Sequence, residues 1–188
     1  PDGMSLLTAG QDQTARLWDV ATMAQVRQFC GHANWVNSAA FSPDGKLIVT
    51  ASDDRTTRLW DAATGVEIRQ LQGHANWVYS AAFSPDGKLI VTASSDGTAR
   101  LWDAATGDEI RQLQGHTRAV NSATFSPDGK LIVSASDDWT ARLWDAATGV
   151  ETRQLQGHTD GVTFAAFSSD GKLVATASYD GTARLWDA

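Results

Sequence analysis

The chain alternates short apolar runs with clusters of turn residues from end to end. The pattern is clearest between Val78 and Leu113. VYSAAF (78–83) reads as a strand, and the SPDGK that follows contains Gly87, free to adopt positive φ in a turn. LIVTAS (89–94) is β-branched and almost continuously apolar, which predicts a strand buried on both faces. Ser95-Asp96-Gly97 marks a tight turn. TARLWD (98–103) predicts a third strand, AATG a turn ending at Gly107, and EIRQL (109–113) a fourth. No segment holds a 3.6-residue apolar period over the length of a helix, so the fold class is all-β.

This four-strand unit recurs. Gly-His appears at Gly31-His32, Gly73-His74, Gly115-His116 and Gly157-His158, and Trp-Asp at Trp18, Trp60, Trp102, Trp144 and Trp186, each series with a period of 42 residues. The units starting at Gly31 and Gly73 differ at only five positions: Asn37/Tyr79, Asp53/Ser95, Arg55/Gly97, Thr57/Ala99 and Val66/Asp108. The chain divides into a partial unit over 1–30, full units over 31–72, 73–114 and 115–156, and a partial unit over 157–188, all within one domain spanning 1–188. PDG at the start aligns with Pro43-Asp44-Gly45, so the first unit is expected to lack its inner strand. The last is expected to lack its outer one, giving 18 strands, or about four and a half blades.

GH, SPDG, SxDxT and RLWD at this spacing are similar to the WD-repeat family, and the resemblance covers essentially the whole chain. It implies a β-propeller of four-stranded antiparallel blades around a central channel, with small residues such as Ser80, Ala81 and Ala82 nearest the axis. It also implies a buried hydrogen-bonded set in each blade: His32, Ser52, Asp54 and Trp60; His74, Ser94, Asp96 and Trp102; His116, Ser136, Asp138 and Trp144; His158, Ser178, Asp180 and Trp186. In such a set an aspartate accepts from a turn N–H and the imidazole, and the serine bonds the indole N–H. The first unit, with Gly10 at the serine position and no histidine, is expected to have an incomplete set. The near-identity of the units resembles bacterial WD-repeat arrays that accompany signalling domains. Two readings of the partial units stand: a segment of a longer propeller, or self-association of chains into a closed ring.

SASDDWTARLWD (134–145), with His116 upstream, contains the ingredients of a serine nucleophile triad. The same ingredients recur once per blade, and no second motif supplies an oxyanion hole. The expectation is therefore no catalytic residue and no enzyme activity. Successive histidines fall in different blades, so neither a histidine metal site nor any cofactor is expected.

The units differ most in two places. After Gly-His the chain reads ANW, ANW, TRA and TDG. The next variable position holds Asn37, Tyr79, Asn121 and Thr163, and the turn positions hold Asp53/Arg55, Ser95/Gly97, Asp137/Trp139 and Tyr179/Gly181. Under the family fold both lie on one face of the disc. Four of the five positions equivalent to Trp139 are Gly, Gly, Gln or Arg, so the fold itself does not require a tryptophan. Trp35, Asn37, Arg55, Trp77, Tyr79, Arg118, Trp139, Asp160 and Tyr179 are the expected contacts for a protein or peptide partner, since aromatics and arginine anchor interfaces. The alternative is a glycan- or ligand-binding propeller with repeated pockets, Trp35 and Trp77 stacking on sugars.

Composition narrows the classes. The hydrophobic share of 42% excludes a disordered chain. A net charge of −7 argues against nucleic acid or an anionic membrane surface as partner. No apolar run reaches the length of a membrane span. Cys30 is the one cysteine, which excludes an internal disulfide and points to a reducing, cytoplasmic setting.

Overall fold

A computed structural model describes residues 3–188. They form five antiparallel sheets. The first holds β1 (Ser5–Ala9), β2 (Thr14–Asp19) and β3 (Gln25–Cys30). The second holds β4 (Val36–Phe41), β5 (Leu47–Ser52), β6 (Thr56–Asp61) and β7 (Glu67–Gln72). The third holds β8 (Val78–Phe83), β9 (Leu89–Ser94), β10 (Ala99–Asp103) and β11 (Glu109–Leu113). The fourth holds β12 (Val120–Phe125), β13 (Leu131–Ser136), β14 (Thr140–Asp145) and β15 (Glu151–Gln156). The fifth holds β16 (Val162–Phe167), β17 (Leu173–Ser178) and β18 (Ala183–Asp187). Each sheet is a meander in which sequential strands pair, and no helix occurs among the described residues. The strands match the sequence reading closely. β10 starts one residue late, at Ala99 rather than Thr98.

The sheets are the blades of a propeller arc. Inner strands neighbour one another in chain order, β4 beside β8, β8 beside β12 and β12 beside β16, and β1, the counterpart of β5, lies beside β4. Period-2 alternation gives each blade two different apolar faces. In the second blade Ile48 and Trp60 turn back onto Ala15, Leu17 and Phe29. Val49, Ala51, Leu59 and Leu71 turn forward onto Val78, Ala81, Ile90 and Trp102. The next two junctions repeat this pairing, which is why LIVTAS is apolar without alternation. Ile48, Val49, Ile90, Val91, Ile132 and Val133 are fully buried, each contributing roughly 1.5–3 kcal/mol by leaving water.

Polar ties fix the blades to one another. Arg27 donates to the Thr64 carbonyl at 2.8 Å, Arg111 to those of Thr148 and Ala147, and Arg153 to that of Asp187, so outer-strand arginines clasp the next blade at its AATG turn or, for Arg153, at the end of β18. On the inner strands Ser80 Oγ accepts from the Ala123 N–H, and Ser122 Oγ from that of Ala165. The backward face of the first sheet and the forward face of the last are open. Leu185 is 71% exposed where its equivalent Leu143 is 1%, and Leu6 is 53% exposed where Ile48 is 0%.

Candidate functional site

The strands carry their loops to two opposite ends. One end holds the SPDG and AATG turns. The other holds the post-histidine loop and the xDxT turn, which are zipped together by backbone bonds from Asp53 N to Trp35 O, Ser95 N to Trp77 O, Asp137 N to Ala119 O and Tyr179 N to Gly161 O.

Beneath this second end lies a buried polar set in each of four blades. His32 Nδ1 donates to Asp54 Oδ2 at 2.7 Å, and the same oxygen accepts the Ala33 N–H at 3.0 Å. Asp54 Oδ1 accepts from Thr56 N and Thr56 Oγ1. With its Nδ1 hydrogen given to Asp54, the imidazole accepts at Nε2 from the Thr50 hydroxyl, 2.7 Å away, and that oxygen accepts the Trp60 indole N–H at 2.8 Å. The third, fourth and fifth blades repeat the geometry with His74, Asp96, Thr92 and Trp102; His116, Asp138, Ser134 and Trp144; and His158, Asp180, Thr176 and Trp186.

The hydroxyl assignment made from sequence is thereby corrected. Ser52, Ser94, Ser136 and Ser178 do not bond the imidazole or the indole. They accept the N–H of Asp54, Asp96, Asp138 and Asp180 and donate to the carbonyls of Asn34, Asn76, Arg118 and Asp160, tying turn to loop. The reason is register. Ile48 lies opposite Trp60, so the indole N–H reaches diagonally to Thr50, whereas Ser52 sits one further pair along. The first unit follows suit: Trp18 donates to Thr8, so it keeps the indole–hydroxyl bond.

Sequence reasoning also missed a second ring of charge. Arg58, Arg100 and Arg142 donate to Glu67, Glu109 and Glu151, and reach Asp54, Asp96 and Asp138 at 3.5–3.8 Å. These guanidiniums lie against the Gly-His glycines. A Cβ on Gly73 would stand 2.7 Å from Arg100 Nη1, and one on Gly115 2.7 Å from Arg142 Nη1. The signal was present, since Arg and Glu recur in every full unit, but they read as surface charge.

Burial alone would raise the pKa of Asp54, Asp96 and Asp138. Hydrogen bonds from the histidine, the turn threonine and the loop N–H outweigh it and hold these carboxyls well below the usual carboxylate range. Asp180 is held low in the same way, first by the Thr182 hydroxyl.

The nine residues expected to meet a partner all map to the loop end, in differing states. Trp35 and Trp77 are each 47% exposed, Trp139 46% and Tyr179 72%. Arg55 and Arg118 are exposed, and Tyr79 is half-buried. Asn37 is exposed, but its amide donates to Asp53 at 2.6 Å and to the Val78 carbonyl of the next blade at 3.0 Å. Asn121 makes the same bonds to Asp137 and Val162. Asp160 caps the Gly161 N–H at 2.7 Å.

Trp139 has φ of 74° and Arg55 of 71°, the left-handed region that glycine fills at Gly97 and Gly181. A bulky side chain there costs about 1–2 kcal/mol of backbone strain.

A family model for the WD domain, G-beta repeat, matches residues 1–19, 23–61, 65–103, 107–145 and 149–187. The chain belongs to the WD-repeat family. It is also 42% identical over 41 residues to the nuclear distribution protein PAC1 of Coprinopsis cinerea, a match covering 22% of this chain and 9% of that relative.

In this WD-repeat chain the set in the fourth blade has the connectivity of a serine triad: Ser134 Oγ lies 2.7 Å from His116 Nε2, and His116 Nδ1 lies 2.8 Å from Asp138. Ser134 is nonetheless 0% exposed and already accepts the Trp144 indole, and Thr50, Thr92 and Thr176 take its place in the other WD repeats. The arrangement fits a strut that joins loop, strand and turn. Replacing Thr92 by the isosteric valine orphans both the Trp102 N–H and His74 Nε2, an expected loss of about 2–3 kcal/mol in urea unfolding. A loss below about 0.5 kcal/mol would contradict the relay.

Proposed function

We propose that this WD-repeat chain is a non-catalytic scaffold that recognises a protein or peptide through the end carrying the post-histidine loops and xDxT turns. Carrying the proposal is Trp139, a half-exposed tryptophan in a left-handed turn where two sister blades have glycine. A residue that strains its backbone without filling the core is placed for something outside the fold. Trp35, Trp77 and Tyr179 extend the aromatic surface on the same end. Each hydroxyl, imidazole and carboxylate of the buried sets is spent within its own blade, which supports the non-catalytic reading. Net negative charge fits a protein partner rather than nucleic acid, and the lone Cys30 fits a reducing, cytoplasmic setting.

The test separates binding from folding. Trp139→Gly is expected to raise stability by about 1 kcal/mol, read as an upward Tm shift, while weakening capture of a purified partner at least tenfold. Tyr179→Ala should weaken capture without changing the melt. Lys88→Glu, on the opposite end, should leave it intact. Equal capture by all three variants would overturn the assignment of this face, and glycan-array binding lost in Trp35→Ala would favour the sugar-binding alternative.

The open faces of the first and last sheets support a second reading, association with a further blade. Each junction in the chain buries a Leu-bearing forward face against a Trp-bearing backward face, and Leu185 and Leu6 lie on the two open faces of matching type. A second copy stacked head to tail would be heterologous, and light scattering would read it as a mass above the monomer's 20.1 kDa that Leu185→Glu abolishes.

A further inference from the structure

The fourth blade departs from its sisters twice, at two residues that line the same cleft. The first departure is Trp139, a large aromatic side chain in the left-handed turn position that Gln13 and Arg55 hold in two other units and Gly97 and Gly181 in the remaining two. The second is Arg118. Its counterparts Asn34, Asn76 and Asp160 each fold their side-chain oxygen back to cap the next backbone N–H, at 2.9, 2.9 and 2.7 Å. An arginine has no acceptor and gives up that cap. Both changes work against local stability, and both residues line one cleft of about 220 Å³, together with Thr117 and Asp138. No hydrogen bond or ion pair reaches the Arg118 guanidinium among the described residues, and it is exposed. The anions nearby are already used: Asp138 accepts from His116, Thr117 and Thr140, and Asp137 from Asn121. Arg118 is therefore the free charge of the cleft. Sites where a sequence breaks local rules without gain to the fold are where function is expected.

We infer that the cleft between Arg118 and Trp139 binds a peptide that presents a carboxylate side chain next to an apolar one, the carboxylate paired with the Arg118 fork and the apolar group laid on the Trp139 indole. This deepens the scaffold proposal and rests on it. The guanidinium offers two parallel N–H donors matched to a carboxylate, and the half-exposed indole offers a rigid face at low entropic cost. Asn121 acts as a positioning residue. Its bonds to Asp137 and to Val162 hold the turn two residues before Trp139.

The protein labelled with 5-fluorotryptophan tests this by ¹⁹F NMR, the Trp139 signal being assigned from Trp139→Phe. The probe is the blocked pentapeptide acetyl-Gly-Phe-Glu-Phe-Gly-amide. It is expected to move the Trp139 resonance saturably, with the Trp35 and Trp77 signals unmoved, and to weaken with added salt. A glutamine in place of the glutamate should reduce affinity at least tenfold. Arg118→Asn, which restores the sister-blade cap, should abolish binding while leaving Tm equal or higher, opposite to the effect of losing a structural arginine.

Equal binding of the Glu and Gln peptides, or binding that survives Arg118→Asn, would overturn the inference. So would binding of a phosphoserine peptide with the glutamate peptide silent, which would make the cleft a phosphate site. A silent glutamate peptide together with a partner footprint on Trp35, Trp77 and Tyr79 would overturn the inference and leave the scaffold proposal standing. A footprint on the opposite end would remove both.

Discussion

Replacing Asp96 by alanine is expected to destabilise the protein by about 3–5 kcal/mol, more than the loss of any other single member of its blade's polar set. The carboxylate accepts from His74 Nδ1 and the Ala75 N–H on one oxygen, and from the Thr98 N–H and hydroxyl on the other. Alanine leaves these donors without partners in a site where the Asp96 side chain is 8% exposed, and it also removes the counter-charge of Arg100. The loss is read from the urea midpoint, together with faster hydrogen exchange of the Trp102 indole N–H. Asp12 in the first unit provides an internal control. Among the described residues no histidine bonds it, and its side chain is 47% exposed, so Asp12→Ala should have a much smaller effect in this chain. Equal losses at the two positions would show that the histidine-linked set does not hold the blade.

Acid should unfold the protein by the same route. Because Asp54, Asp96 and Asp138 have pKa values depressed in the folded state, by the hydrogen bonds that outweigh their burial, folding favours their charged form. Their contribution is fully present above the pKa of an unfolded aspartate, about 3.9, and drains away as pH falls below it toward the lower folded value. The expected Tm is therefore flat in these groups from pH 7 to about 5 and drops steeply below about 4. Asp96→Asn should reduce the slope of that acid limb. A limb of unchanged slope would place the acid sensitivity elsewhere.

The fold was legible because its punctuation is regular. SPDG, xDxT and AATG recur in one register, and a strand between two such turns has one length available to it. The relay hydroxyl was not legible. Thr50 and Ser52 lie on the same side of one strand, two residues apart, and only the pairing of Ile48 with Trp60 decides between them. Spacing along the chain carries no information about which of two same-face hydroxyls meets an indole from the neighbouring strand. A second role of Asn37 was not legible for a related reason. It varies among units and is exposed, yet its amide also reaches across to the Val78 carbonyl of the next blade. The strain at Trp139 was legible in part. Gly97 and Gly181 at equivalent positions signal a backbone that glycine suits, and from that a left-handed tryptophan follows.

The sameness of the junctions has a consequence for how such a protein can change. The second, third and fourth blades offer nearly the same forward face, Val49, Leu59 and Leu71 recurring as Val91, Leu101 and Leu113 and as Val133, Leu143 and Leu155, so these blades fit beside one another with little adjustment. Each is an interchangeable tile. Copying, deleting or swapping one tile of 42 residues leaves the remaining joints as they were. The loop end, by contrast, is composed tile by tile. Its order of side chains is a short message written on a surface whose framework is indifferent to what it says, and that message can be rewritten one tile at a time.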